Sequence, residues 1–214
     1  MKNTWWFSRA AALGLAFALS GCAAPLLLGG AAVGTGFVAT DRRSAGIQLE
    51  DEAVELRAMN RLHEALGDRV HINVTSYNLQ VLVTGEVPNE RDKALAQQII
   101  SRVENVKSIV NELGVMANSS LSQRASDSLS TGRIKASLVD SKELYANAFK
   151  VVTERGVSYM MGRVTQREAN AATEMARTTP GVQKLVRLFE IISEDELLRT
   201  LPQPPKPEQS PTRN

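Results

Sequence analysis

The chain has one cysteine, Cys22, and two histidines, His63 and His71. A single thiol excludes a disulfide within the chain. It also leaves a structural zinc site short of ligands, because such sites take three or four converging His, Cys or acid groups. On this reading the histidines lie at a surface or element boundary, and no metal is expected. The glycines near Gly29 and Gly30 follow no strand and lack a Gly-Lys-Ser/Thr ending, which excludes a phosphate loop. No nucleophile-elbow pattern surrounds any serine, so no enzyme is expected. Net charge is scarce too. The formal +2 comes entirely from Lys2 and Arg9, and the rest is near neutral, so nucleic acid and other generic polyanions are not expected partners.

What is present at the N-terminus has the layout of an export signal. Lys2 and Arg9 precede Ala10–Leu19, an uncharged run too short for a bilayer span of about 20 residues. It ends in Leu19-Ser20-Gly21-Cys22, which resembles the lipobox of bacterial lipoproteins. That resemblance implies a signal peptide over 1–21 and a covalent lipid, palmitate included, on Cys22 as the only prosthetic group. Ala23 rather than Asp follows the cysteine, and similarity to the lipoprotein sorting rule implies the outer membrane, facing the periplasm. Residues 22–50 read as the lipidated Cys and a tether, with glycines 29, 30, 34 and 36 disfavouring a soluble helix. At the other end, residues 193–214 read as a disordered tail, with five prolines between 202 and 211.

Between these ends the chain repeats itself. At an offset of 77, Val74 meets Val151, Gly85 meets Gly162 and Val87 meets Val164. Helix-forming segments follow in both copies, at 89–103 and 166–179. Asn105-Val106 and Gly181-Val182 then lead into the apolar runs Ile109–Met116 and Leu185–Ile192. Upstream, Asp51–Leu66 and Asp127–Val139 read as helices. Period-2 alternation at Ile72, Val74 and Ser76 reads as a strand, with turns at Asn78 and at Glu154-Arg155-Gly156. Gly85 and Gly162 fall where a bulge or a close helix approach is expected. In the helix 89–103, Ala94, Leu95, Gln98, Ile99 and Arg102 follow 3-4 spacing, with the apolar members facing a sheet.

The fold class is therefore α+β, each copy reading αββαβ, with a small three-stranded mixed sheet covered by two helices. This pattern resembles the BON domain. Its marks are Asp51, Leu62, Gly85 and Asn105-Val106, repeated as Asp127, Leu138, Gly162 and Gly181-Val182. The expected organisation places one domain at 51–117, a polar linker at 118–126 and a second domain at 127–192. Two such domains behind a lipobox resemble the dual-BON outer-membrane lipoproteins of bacteria.

The copies differ in charge. Residues 51–117 hold ten acids and seven Lys/Arg; residues 124–192 hold seven and eleven. In the helix 127–139, Arg133 and Lys135 have no acid between Asp127 and Asp140. Ile134 and Leu138 should face the sheet, which leaves Leu129, Gly132, Arg133 and Ser137 away from the core or beside it. Gly132 inside a helix hints at close approach or a helix break. On the residues alone, Arg133 and Lys135 read most plainly as a solvated helix face. The family resemblance implies instead that Leu129, Gly132, Arg133, Lys135, Ser137 and nearby Tyr145 bind an anionic, phosphatidylglycerol-like phospholipid in support of outer-membrane integrity. The competing reading is an adaptor for envelope assembly or cell-wall remodelling proteins, using the acidic copy or exposed strand edges.

Overall fold

The computed structural model describes residues 41–200, which lie within one compact unit. The expected signal peptide, Cys22, most of the tether and the proline-rich stretch 201–214 lie outside the described residues. Helix α1 (Ala45–Leu66) is followed by strands β1 (His71–Tyr77) and β2 (Gln80–Val87), helix α2 (Glu90–Ile100), β3 (Ser108–Asn111) and β4 (Gly114–Val115). The second copy runs α3 (Leu121–Asp140), β5 (Phe149–Glu154), β6 (Val157–Thr165), α4 (Gln166–Arg177) and β7 (Lys184–Ile192), and α5 (Glu194–Thr200) follows. Each sheet is mixed: β1 pairs antiparallel with β2 and β5 with β6, while β3, β4 and β7 add in parallel to the long central strand.

Local chemistry accounts for the element ends. Ser44 and Ser120 cap α1 and α3, each accepting from the backbone N–H three residues on. Both helices therefore start six residues earlier than an Asp-led reading expects, and they absorb parts of the segments expected as tether and linker. Asp51 and Asp127 sit mid-helix and do a different job. The Asp127 carboxylate accepts from the Arg155 and Gly156 amides, and that of Asp51 accepts from the Asn78 and Leu79 amides and the Ser76 hydroxyl. Each acid thus holds a two-residue hairpin turn whose residues have positive φ: Asn78 and Leu79, then Arg155 and Gly156. Positive φ recurs at Asn105 and Gly181, where each copy turns into the first strand after its second helix.

The glycine pair has its own explanation. A Cβ on Gly85 would meet the His71 carbonyl oxygen at 2.0 Å, and one on Gly162 the Ala148 carbonyl oxygen at 2.5 Å. The close approach is thus by backbone at the start of the neighbouring strand, within β1 for Gly85 and one residue ahead of β5 for Gly162, and not by a covering helix. Three further expectations are corrected. The buried face of α2 is Asp92, Ala96 and Ile100, flanked by Leu95 and Ile99, while Ala94 and Gln98 are exposed. The apolar run 109–116 is two strands, interrupted where Leu113 drops into the first core. And α5, with Leu197 buried, occupies the start of the segment expected as disordered tail.

Each copy has a core between its helices and the inner face of its sheet. Val54, Ala58, Leu62, Val81, Val83 and Ile100 contribute in the first copy; Ile134, Leu138, Val151, Met160, Val164 and Ala172 in the second. A third core lies between the copies. Tyr77 and Leu82 from the first sheet pack with Tyr159 and Met161 from the second, and Val110, Val157, Val186 and Leu188 cover them. The sheets therefore meet face to face and the helices lie outside, which explains why β2 and β6 are apolar on both faces.

The chain entering α1 fastens this arrangement. Buried Arg42 makes a two-pronged contact with Glu168 (2.6 and 2.7 Å) and donates to the Arg163 carbonyl at 2.7 Å, all in the second copy. Arg43 pairs with Asp51 at 2.7 Å in the first copy, and its guanidinium lies 4.3 Å from the centre of the Tyr77 ring. Lys150 reaches Glu55 across the interface at 2.6 Å.

Candidate functional site

Helix α3 presents one outward line of residues. Its inner face is Asp127, Ser130, Ile134 and Leu138, all buried. Advancing about 100° per residue, the opposite side carries Leu121, Ala125, Leu129, Gly132, Ala136 and Val139, all exposed. Leu121 is 81% exposed, Val139 71% and Leu129 61%, a run of apolar surface that nothing among the described residues covers. Arg133 and Lys135 are exposed on either flank of this line, about 200° apart around the axis. Arg133 donates to the Pro180 carbonyl at 3.2 Å, which holds its guanidinium beside the turn after α4. Ser137 is half-buried on the Arg133 side, and its carbonyl accepts from Ser141 to close the helix. Tyr145, 41% exposed, precedes the short helical turn Ala146–Ala148.

The expected residues thus share one helix and its exit, but they do not form one pocket. Gly132 is neither a break nor a close approach: α3 runs through it, and a Cβ there would meet nothing within 4 Å. Leu121 and Ala125 were missed because the helix was begun at Asp127, whereas Ala136 and Val139 lay inside the expected helix and were not singled out. The signal that would have found the first two is Ser120 with Gln123 three residues later, a helix-start spacing.

A second cluster was missed altogether. His71 and Glu86 are cross-strand partners on β1 and β2. The His71 Nδ1 lies 2.9 Å from Glu86 Oε2 and 3.8 Å from Glu154 Oε1 of the second copy. Burial alone would raise the Glu86 carboxyl, but hydrogen bonds from Ser119 and His71 hold it below its ordinary value. Glu154 is raised, chiefly by burial, against the hydrogen bond from Asn73. His71, Asn73, Asp127 and Glu154 line a cavity of about 390 Å³. His71 is thus no mere boundary residue, whereas His63 is exposed on α1.

The BON domain family pattern matches residues 50–117 and 126–193. The chain belongs to the BON domain family. Its two copies and the fold just described make it a dual-BON protein similar to the outer membrane lipoprotein DolP of Haemophilus influenzae. The two are 35% identical over 182 residues, covering 84% of this chain and 93% of that one. It is also 33% identical to the 21 kDa hemolysin of Actinobacillus pleuropneumoniae, over 71% of this chain and 79% of the relative. Among solved structures, CdsD, a structural protein of the type III secretion system of Chlamydia trachomatis, aligns with 66% of this chain and 95% of its own. The TM-score is 0.29 at 12% identity, too distant to bear on fold or function. Among the described residues no helix is long and apolar enough to cross a membrane.

Proposed function

We propose that this protein is a non-catalytic outer-membrane lipoprotein, lipidated at Cys22 and facing the periplasm. In this reading the second BON domain docks on anionic, phosphatidylglycerol-like phospholipid through α3 and so supports the integrity of the membrane. The observation that carries it is the outward apolar line of α3, flanked by Arg133 and Lys135 and free of acids between Asp127 and Asp140. Leu121, Leu129 and Val139 would enter the headgroup boundary, as the apolar face of an interfacial helix does. Each flanking cation would add about 1 kcal/mol at an anionic surface. The similarity to an outer membrane lipoprotein supports the location.

Co-sedimentation of residues 40–214, which keep the Arg42 and Arg43 contacts, with phosphatidylglycerol-rich and purely zwitterionic vesicles tests this. Selective binding should fall as salt screens it and should be lost in Arg133→Glu/Lys135→Glu. Equal absence of binding to both vesicle types sinks the lipid reading. The leading account would then be an envelope adaptor that uses the nine-residue edge strand β7.

A further inference from the structure

The polar end of the interface between the sheets holds an arrangement that docking on lipid does not use. His71 and Glu86 face each other across β1 and β2, so backbone pairing sets their separation. Glu154 ends β5 and reaches them from the second copy. The three offer one ring nitrogen and two carboxylate oxygens, all within 4.8 Å of one another. Donors bound tetrahedrally to one zinc ion at about 2.0–2.1 Å stand roughly 3.3 Å apart. The separations of 2.9 and 3.8 Å from His71 Nδ1 bracket that value.

The surroundings are those of a held site. Asn73 Nδ2 donates to Glu154 Oε2 at 2.8 Å, and the Ser119 amide and hydroxyl donate to Glu86 Oε2 at 3.1 Å each. Such outer contacts fix ligand orientation. Both carboxylates are buried, and the cation facing them is Arg155, 3.5 Å from Glu86 Oε1. Its guanidinium is shared with the carbonyls of Gly85 and Glu112. Arg124 lines the adjoining cavity but donates to Ser119, and Asp127, also in the lining, adds a further acid. Buried charge on this scale needs compensation, and the three acids outnumber the one guanidinium paired with them. The cavity supplies an approach and room for water ligands. Thr84, on the same face of β2 as Glu86, has a buried hydroxyl with no partner among the described residues.

We propose that His71, Glu86 and Glu154 form a binding site for a divalent transition cation, with zinc as the probe, that bridges the two BON domains. A nitrogen ligand with two carboxylates suits zinc better than magnesium or calcium, which prefer all-oxygen shells. Because the ligands come from both copies, the bound ion ties the copies together and raises the temperature at which the pair unfolds.

The test is equilibrium dialysis of the full chain against zinc chloride near pH 7.5, with bound metal counted and thermal unfolding followed. One zinc per chain is expected, with a raised midpoint. Glu154→Gln, nearly isosteric, should weaken binding at least about tenfold, and His71→Ala should abolish it. His63→Ala should leave it unchanged. No bound zinc in the unaltered chain overturns the proposal. Unchanged binding in both Glu154→Gln and His71→Ala overturns it equally, by moving the metal to His63 or Cys22. The unaltered chain decides the first point even if a variant fails to fold.

Discussion

The two BON copies share one scaffold but secure it differently. In each, the acid three residues after the cap of the second helix is held by an arginine. Asp92 of the first copy takes Arg69 at 2.8 Å, a surface partner 54% exposed. Glu168 of the second takes Arg42, whose side chain is 3% exposed and comes from outside the repeat. The first copy closes this position for itself, whereas the second depends on the segment that precedes α1. The hairpin acids differ in the opposite sense: Asp51 serves three donors and Arg43, Asp127 two amides. The outward helix faces differ as well. Beside the buried Asp51, α1 carries Glu50, Glu52 and Glu55, whereas α3 has no acid between Asp127, also buried, and Asp140. A duplicated fold thus leaves one copy free to specialise its surface while the interface and the strap keep it in place.

Substitutions at matched positions test this contrast. Arg42→Ala should cost about 3–5 kcal/mol in urea unfolding, because it strands the buried Glu168 carboxylate. Arg69→Ala should cost less than about 1 kcal/mol. Similar values for the two would erase the distinction between a surface and a buried clamp. Asp51→Ala should cost about 3 kcal/mol and Asp127→Ala about 2, in proportion to the buried donors left unpaired. Gly85→Ala should cost about 2–3 kcal/mol against about 1–2 for Gly162→Ala. Both meet a backbone oxygen, but only Gly85 adds a φ of +114°.

Acid should separate the copies further. Burial would raise the Glu168 carboxyl, yet the hydrogen bonds from Arg42 and the Thr165 amide hold it below its ordinary value. A carboxyl depressed in the folded state contributes stability above its unfolded pKa and loses it as pH falls through the folded one. The strap should therefore loosen below about pH 4.3, and Glu168→Gln should flatten the pH dependence of the unfolding midpoint. The smallest effect belongs to Gly132→Ala, which should gain up to about 1 kcal/mol because the added methyl meets nothing. Counted from Asp51 and Asp127, the matching residue in the first copy is Leu56, already an exposed apolar side chain.

Much of each domain was legible because periodicity carries it. Ile72 and Val74 alternate as a one-sided strand does, and Ile134 and Leu138 mark a buried face four residues apart. The helix starts were misread because Asp51 and Asp127 resemble caps, when their partners are turn amides more than twenty residues away. The packing of sheet on sheet had a signal in Val81-Leu82-Val83 and Tyr159-Met160-Met161, apolar on consecutive residues and so on both faces. The cationic flanks of α3 could be read directly, since sequence spacing fixes their place on a helix. The His71, Glu86 and Glu154 cluster could not be, because its third member arrives only when the sheets meet.

The strap has a mechanical consequence. Arg42 is fastened to the second domain and Arg43, its neighbour, to the first. Tension applied to the chain ahead of Asp41 is therefore divided between both domains at adjacent residues, so neither is peeled from the other before the guanidinium contacts give way. The pair would respond to a pull as a single body up to that limit, and beyond it α1 would be the first element to take the load.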